Sequence, residues 1–260
     1  MILCSSTFAA SCARLDFPYV RPLSQLRVPH RRAPSTTVSR RHRPRLQVSA
    51  PRSLLTLAAV LFDGRMIVAG GAGGAGGGTL ASAEVMAADG SGWAALPPMA
   101  AARYGAMAGR LPGGQVIVAG GNCNWDDEPL ASAELWDPAT GTWAELPPMA
   151  RARDGAAGCV LPSGRFAVLG GLAGDDIGRG DAEAFDPVNR AWQPLPAMPH
   201  HLDRGAAVAV AVAGGLLAMD GRGGRGGAML FEEESGRWFT LPNQMPTGRD
   251  GPALVTVPAP

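Results

Sequence analysis

A chain of 260 residues has room for one large all-β domain or two ordinary ones, and 36 Gly and 23 Pro beside a 17% charged share point to many short, turn-linked segments and away from a helical bundle. The formal net charge of +1 hides a division, because residues 1–50 hold nine Arg and one acid while residues 51–260 hold fourteen Arg and twenty-one acids. A weakly acidic body lacks the clustered basic face that nucleic acid requires, and no stretch after residue 50 has the roughly 18 uninterrupted apolar residues of a helical membrane span.

Residues 1–50 come first in chain order. They are rich in Arg and Ser, carry only Asp16 as an acid, and show no apolar periodicity. That composition is that of an organelle transit peptide, to be set aside before the fold is read. The abundance of Ser and Thr points to the plastid, with a mitochondrial import segment or a disordered basic tail on a cytoplasmic protein as the alternatives. Of the four Cys, Cys4 and Cys12 fall in this head and only Cys123 and Cys159 in the body, so no disulfide framework or Cys-x-x-Cys zinc pattern is present.

From residue 51 the chain repeats itself with a period near fifty residues, a signal that takes precedence over local pattern. Each repeat begins at an Arg followed by a first strand of small and apolar residues, as in "GAMAGRL" and "GAAGCVL". A turn pair ends it, Asp63-Gly64, Gly113-Gly114, Ser163-Gly164 or Gly214-Gly215, of the kind that accepts positive φ in tight hairpins. A second strand, "RMIVAGG", "QVIVAGG" or "RFAVLGG", is a short β-branched run suited to burial on both faces and is closed by Gly-Gly. After a variable loop a third strand, "SAEVM", "SAELW", "AEAF" or "AMLF", ends in Met86, Trp136, Phe185 or Phe231. A turn then leads to a fourth strand bearing Trp93, Trp143, Trp192 or Trp238, each followed by a Leu-Pro pair and by Met99, Met149, Met198 or Met245. Four antiparallel strands per unit make a propeller blade, and since one blade cannot bury both faces, the recurrent aromatics are expected to fill the space between stacked sheets.

The succession of Arg, hairpin turn, "IVAGG", loop and "SAELWDPATGTWAELPPM" resembles the kelch repeat, with "ELWDPATGTW" its strongest stretch and residues 52–246 reading as four copies. The first copy departs at "VMAADGSGW" and the fourth at Asp220 and "FEEESGRW". The resemblance implies an all-β, kelch-type β-propeller of four-stranded antiparallel blades at about 52–100, 103–150, 153–199 and 204–246. Arg52, Arg103, Arg153, Arg204 and Arg249 make five strand openings for four complete blades, so residues 249–258 read as an extra strand. Kelch propellers usually close with five to seven blades. The alternatives are therefore a tight ring of four, an incomplete or open arc with raw strand edges, and a truncated gene product.

Within a blade, strand direction alternates, so the loop after Gly-Gly and the Arg-bearing blade opening are expected on one rim. These loops vary while the strands do not, which is where function tends to reside on a scaffold. Trp125, outside the repeated aromatic columns and beside Asp126 and Asp127, is a candidate hot spot. Asp175 and Asp176 form a second acidic loop, and Arg222 and Arg225 a basic one. Arg103, Arg153, Arg204 and Arg249 are expected around one mouth of the channel, either satisfying carbonyls of the link to the previous blade or facing outward to a partner's carboxylate, a group the planar guanidinium suits.

Some kelch-like propellers house a copper radical site of Tyr, Cys and two His, but here His200 and His201 are adjacent and would point apart. Two carboxylates per loop also fall short of the six to eight oxygens of Ca²⁺. The expectation is a non-catalytic module, with no cofactor or metal, that binds another protein through its rim loops, without nucleic acid or membrane. Propeller-type enzyme and substrate-recognition subunit of a ubiquitin ligase are the rival functions, the second without a recognisable F-box or BTB-like segment beside it.

Overall fold

The computed structural model describes residues 52–53, 60–73, 78–124, 128–172, 180–202, 207–220 and 227–244. Every regular element among them is a strand, so none of the described residues forms a helix able to cross a membrane. A short sheet pairs β1 (Arg52–Ser53) with β4 (Ala72–Gly73). The other strands form four antiparallel sheets of four, each a blade. Blade one holds β2 (Val60–Phe62), β3 (Arg65–Ala69), β5 (Ala83–Met86) and β6 (Trp93–Leu96). Blade two holds β7 (Met107–Arg110), β8 (Val116–Ala119), β9 (Ala133–Asp137) and β10 (Thr142–Leu146). Blade three holds β11 (Ala157–Val160), β12 (Phe166–Leu169), β13 (Ala182–Asp186) and β14 (Ala191–Leu195). Blade four holds β15 (Ala207–Val212), β16 (Gly215–Asp220), β17 (Gly227–Glu232) and β18 (Arg237–Gln244). This is the architecture of a kelch β-propeller of four blades.

The meander arises because each connection supplies its own turn chemistry. Asp63 and Gly64, with φ of 47° and 74°, form the doubly left-handed pair that a two-residue hairpin demands. In blade two, Leu111 N donates to Gln115 O at 2.8 Å and Gly114 N to Leu111 O at 2.9 Å, a longer hairpin loop in which Gly114 takes the positive φ and Gly113 does not. Between β9 and β10 the Asp137 carboxylate accepts Ala139 N at 2.8 Å, and between β13 and β14 Asp186 accepts Val188 N at 2.8 Å, so an aspartate caps each turn from its own side chain.

Three apolar layers lie between successive blades. Ile67, Ala69 and Ala83 of blade one meet Val116, Val118 and Trp136 of blade two. Ile117, Leu135 and Leu146 meet Phe166, Val168 and Phe185 of blade three, whose Leu169, Ala184 and Leu195 meet Leu216, Met229 and Phe231 of blade four. The central strands are buried on both faces, as their continuous apolar runs require. Each fully buried Leu, Ile or Phe contributes roughly 1.5–3 kcal/mol.

The recurrent Trp sits at the rim of these layers. Trp143, Trp192 and Trp238 lie half-buried on the outermost strands, paired across the sheet with Trp136, Phe185 and Phe231 at ring-centroid distances of 5.4, 5.4 and 5.0 Å. Each indole Nε1 also donates to a proline carbonyl of the preceding blade, Pro97 at 2.8 Å, Pro147 at 2.8 Å and Pro196 at 2.9 Å. The Leu-Pro pair and the Trp are thus the two halves of one inter-blade bond. The first strands touch in succession, β2 on β7, β7 on β11 and β11 on β15, whereas among the described residues β15 and β2 do not meet to a comparable extent.

Candidate functional site: the rim of the blade openings

Arg103 stands four residues ahead of β7 and is fully buried, at 0% exposure. Its backbone is fastened to the blade before it: the N–H donates to Leu80 O at 3.0 Å, and the carbonyl accepts Gly71 N at 2.7 Å. The side chain turns the other way, into its own blade. Nη1 donates to Gly120 O and Ser132 O, both at 2.9 Å, Nη2 to Ser132 Oγ at 2.8 Å and Glu134 Oε1 at 3.0 Å, and Nε to Glu134 Oε1 at 3.3 Å. All five guanidinium donors are thereby used. Glu134 completes the bridge, its carboxylate accepting Ala100 N at 2.7 Å and Ala101 N at 3.2 Å from the link out of blade one.

The next repeat builds the same device. Arg153, 1% exposed, donates its N–H to Leu130 O at 3.1 Å and accepts Gly121 N at 2.7 Å, while its side chain holds Gly170 O, Asp181 and Glu183. Glu183 in turn accepts Ala150 N at 2.8 Å. Asp181 stands where blade two has Ser132 and reaches the surface, meeting Arg151 Nε at 3.4 Å. Burial pulls the Arg103 guanidinium below its ordinary basicity, and the Glu134 carboxylate opposes that pull.

In the pairs Gly120-Gly121 and Gly170-Gly171 the second glycine is dictated by the close approach of the blade opening. Gly121 has φ +86°, and a Cβ there would fall 2.6 Å from Tyr104 O and 2.8 Å from Ala106 Cβ, so a side chain would prise the two segments apart. Just beyond, Tyr104 and Asn122 exchange backbone bonds of 2.9 Å in both directions, and Asp154 and Leu172 do the same at 3.1 and 3.0 Å. Gly155 N donates to Gly105 O at 2.9 Å, tying the openings of blades two and three to one another. Tyr104 Oη donates to Asn124 O at 3.4 Å, and Asn124 N to Asn122 Oδ1 at 3.1 Å, which anchors the start of the loop that continues to Trp125. Blade openings and post-Gly-Gly loops therefore share one rim.

Of the sequence-selected residues, Arg103 and Arg153 are brought to this rim but enclosed in it, and neither side chain presents surface to a partner. Their bonds also differ from expectation: the backbone, and not the guanidinium, satisfies the link to the previous blade. Trp125, Asp126, Asp127, Asp175, Asp176, Arg204 and Arg249 lie outside the described residues, as do Arg222 and Arg225. Sequence reasoning missed Glu134 and Glu183. The signal was present in "SAE" and "DAE", a carboxylate recurring in an otherwise apolar strand 31 residues after Arg103 and 30 after Arg153, and a charge in that position needs a buried partner.

Residues 111–150 match the family model of the Kelch motif. No curated protein matches the chain. The matched stretch supplies β8, β9, β10 and the Leu-Pro link, and the sheet it builds with β7 recurs in the other three blades. The chain therefore carries a Kelch motif at residues 111–150, set in a fold of four propeller blades.

Proposed function

We propose that this protein is a non-catalytic interaction module that binds another protein through the rim loops following each Gly-Gly pair. The observation that carries this reading is the locked rim. The Arg103–Glu134 and Arg153–Glu183 bridges hold successive blade openings in register, so loops rooted beside them start from fixed positions while their sequences are free to vary. The loops through Trp125, Asp126 and Asp127 and through Asp175 and Asp176 supply the recognition groups: an aromatic anchor flanked by carboxylates, suited to a partner with an apolar pocket edged by basic side chains. Arg103 and Arg153 act as supports of this surface and do not touch the partner.

The test is affinity capture from extract with the tagged full chain and its Trp125→Ala variant. Loss of the captured protein with an unchanged melting temperature supports the reading; intact capture by the variant removes the rim's best-placed residue. We further propose that residues 1–50 direct import into a plastid, on their Arg and Ser content and single acid. A fluorescent reporter fused to this segment tests it, and a reporter that stays in the cytosol refutes it.

A further inference from the structure

We propose that two copies of this chain join head to tail, blade one of each seated on blade four of the other, to close a single eight-bladed ring. The chain already forms the required interface three times. In each, the trailing blade lays a strand-end aromatic and an outer Trp against the leading blade, and the Trp indole donates to the proline carbonyl of the leading blade's Leu-Pro pair. The two ends of the chain carry the unmatched halves. Among the described residues the Trp93 indole meets no such carbonyl, and the Pro242 carbonyl, at the position of Pro97, Pro147 and Pro196, meets no indole.

Burial follows the same division. On the face of blade four that no described strand covers, Leu217, Leu230 and Leu241 are partly exposed, where their counterparts Ile117, Leu135 and Leu146 are enclosed by blade three. Phe239, 41% exposed, shares that face and takes the place of Ala144 and Gln193, so blade four has gained an aromatic at the edge where the other blades meet water. On the face of blade one that no described strand covers, Met66 and Met86 are partly exposed, where Val116 and Trp136 or Phe166 and Phe185 are covered in the following blades. An apolar donor face and an apolar acceptor face that no described strand of the same chain covers fit each other in a second copy. A head-to-tail contact of this kind closes when its rotation allows, and eight blades lie within the range that propellers adopt.

Sedimentation of the full chain across concentrations tests the proposal. The expected species has twice the 26.7 kDa mass of the chain. Phe239→Arg, on a side chain 41% exposed with the Arg237 guanidinium 5.7 Å from its ring centroid, should weaken the dimer by at least about tenfold, the effect of one disrupted hot spot, with the melting profile of the monomer nearly unchanged. Trp93→Ala should do the same. Mixing the two variants should restore a dimer, because the intact tail of one still meets the intact head of the other. A monomer at every concentration, or a dimer indifferent to both substitutions, overturns the proposal, and an open series of growing oligomers overturns the closed ring.

Discussion

Replacing Glu134 with Ala should be among the most damaging single changes in the described core, although it removes a charged residue from a β-rich protein. The carboxylate receives four hydrogen bonds, from Ala100 N, Ala101 N and two guanidinium nitrogens of Arg103. Its loss leaves the Arg103 cation, 0% exposed, with only Gly120 and Ser132 oxygens for company, and orphans two amides in the link between blades one and two. Removing one partner of a buried pair costs roughly 3–5 kcal/mol, because the remaining charge stays desolvated without compensation. At about 2–4 °C per kcal/mol for a chain of this size, the melting temperature should fall by about 10 °C. Thermal unfolding followed by calorimetry provides the assay, with Glu145→Ala, an exposed glutamate on the adjacent strand, as the control expected within about 0.5 kcal/mol of the parent. The double variant Arg103→Ala/Glu134→Ala should cost less than the sum of the single changes by about 1–3 kcal/mol. A Glu134→Ala protein that melts with the Glu145→Ala control, or a strictly additive double variant, would refute the bridge as the fastening between blades.

Three further outcomes are expected. Trp143→Ala should cost about 2–3 kcal/mol, less than the 3–5 of a fully enclosed aromatic because the ring is half in water, and Trp143→Phe should cost about 1 kcal/mol for the lost indole bond to Pro97, both read from denaturant unfolding. Burial pushes the Glu233 carboxyl up, but its bonds to Ser163 and Arg165 outweigh that and hold it below the ordinary value of 4.5. A depressed carboxyl stabilises the fold above that ordinary value and loses the contribution as pH falls through its lower folded value, so an acid titration of stability should be shallower in Glu233→Gln by an amount within the surface-pair range of about 1 kcal/mol or less. Cys159 is buried and its thiol is pushed up to about 12, so at pH 8 iodoacetamide should leave it unmodified in the native protein and label it after denaturation, as peptide mass analysis will show.

The periodic features of the fold were legible because they are imposed by local chemistry. The Gly-Gly pairs, the strand-end aromatics and the Trp-Leu-Pro sequence each mark a site where backbone or ring must meet the neighbouring blade, and each stands where the repeat placed it. The Arg was visible as a recurrent residue, but its direction was not. Nothing in "ARYGAM" tells that the backbone reaches back to blade one while the side chain reaches forward to Glu134, because that choice depends on a contact 31 residues away. The turn pairs were legible as turns and only partly as types: Asp63-Gly64 is doubly left-handed, whereas the preceding Pro112 and the bond closing the loop leave only Gly114 so in blade two. The rim residues were selected from loop composition, and loop composition fixes which groups are present without fixing how they converge.

The central claim, a partner held by the rim loops and not by the opposite face, is tested most directly by comparing dissociation constants of the captured partner for two variants. One carries Asp175→Asn and Asp176→Asn in the post-Gly-Gly loop; the other carries Val188→Asp on the β13–β14 turn, where Val188 is 88% exposed and is the most exposed large apolar side chain among the described residues. The rim variant should bind at least about tenfold more weakly, as loss of a hot-spot contact of roughly 1.4 kcal/mol or more requires, with Val188→Asp indistinguishable from the parent. Weakened binding by Val188→Asp alone, with the rim variant unaffected, would contradict the account and move the binding surface to the other side of the propeller.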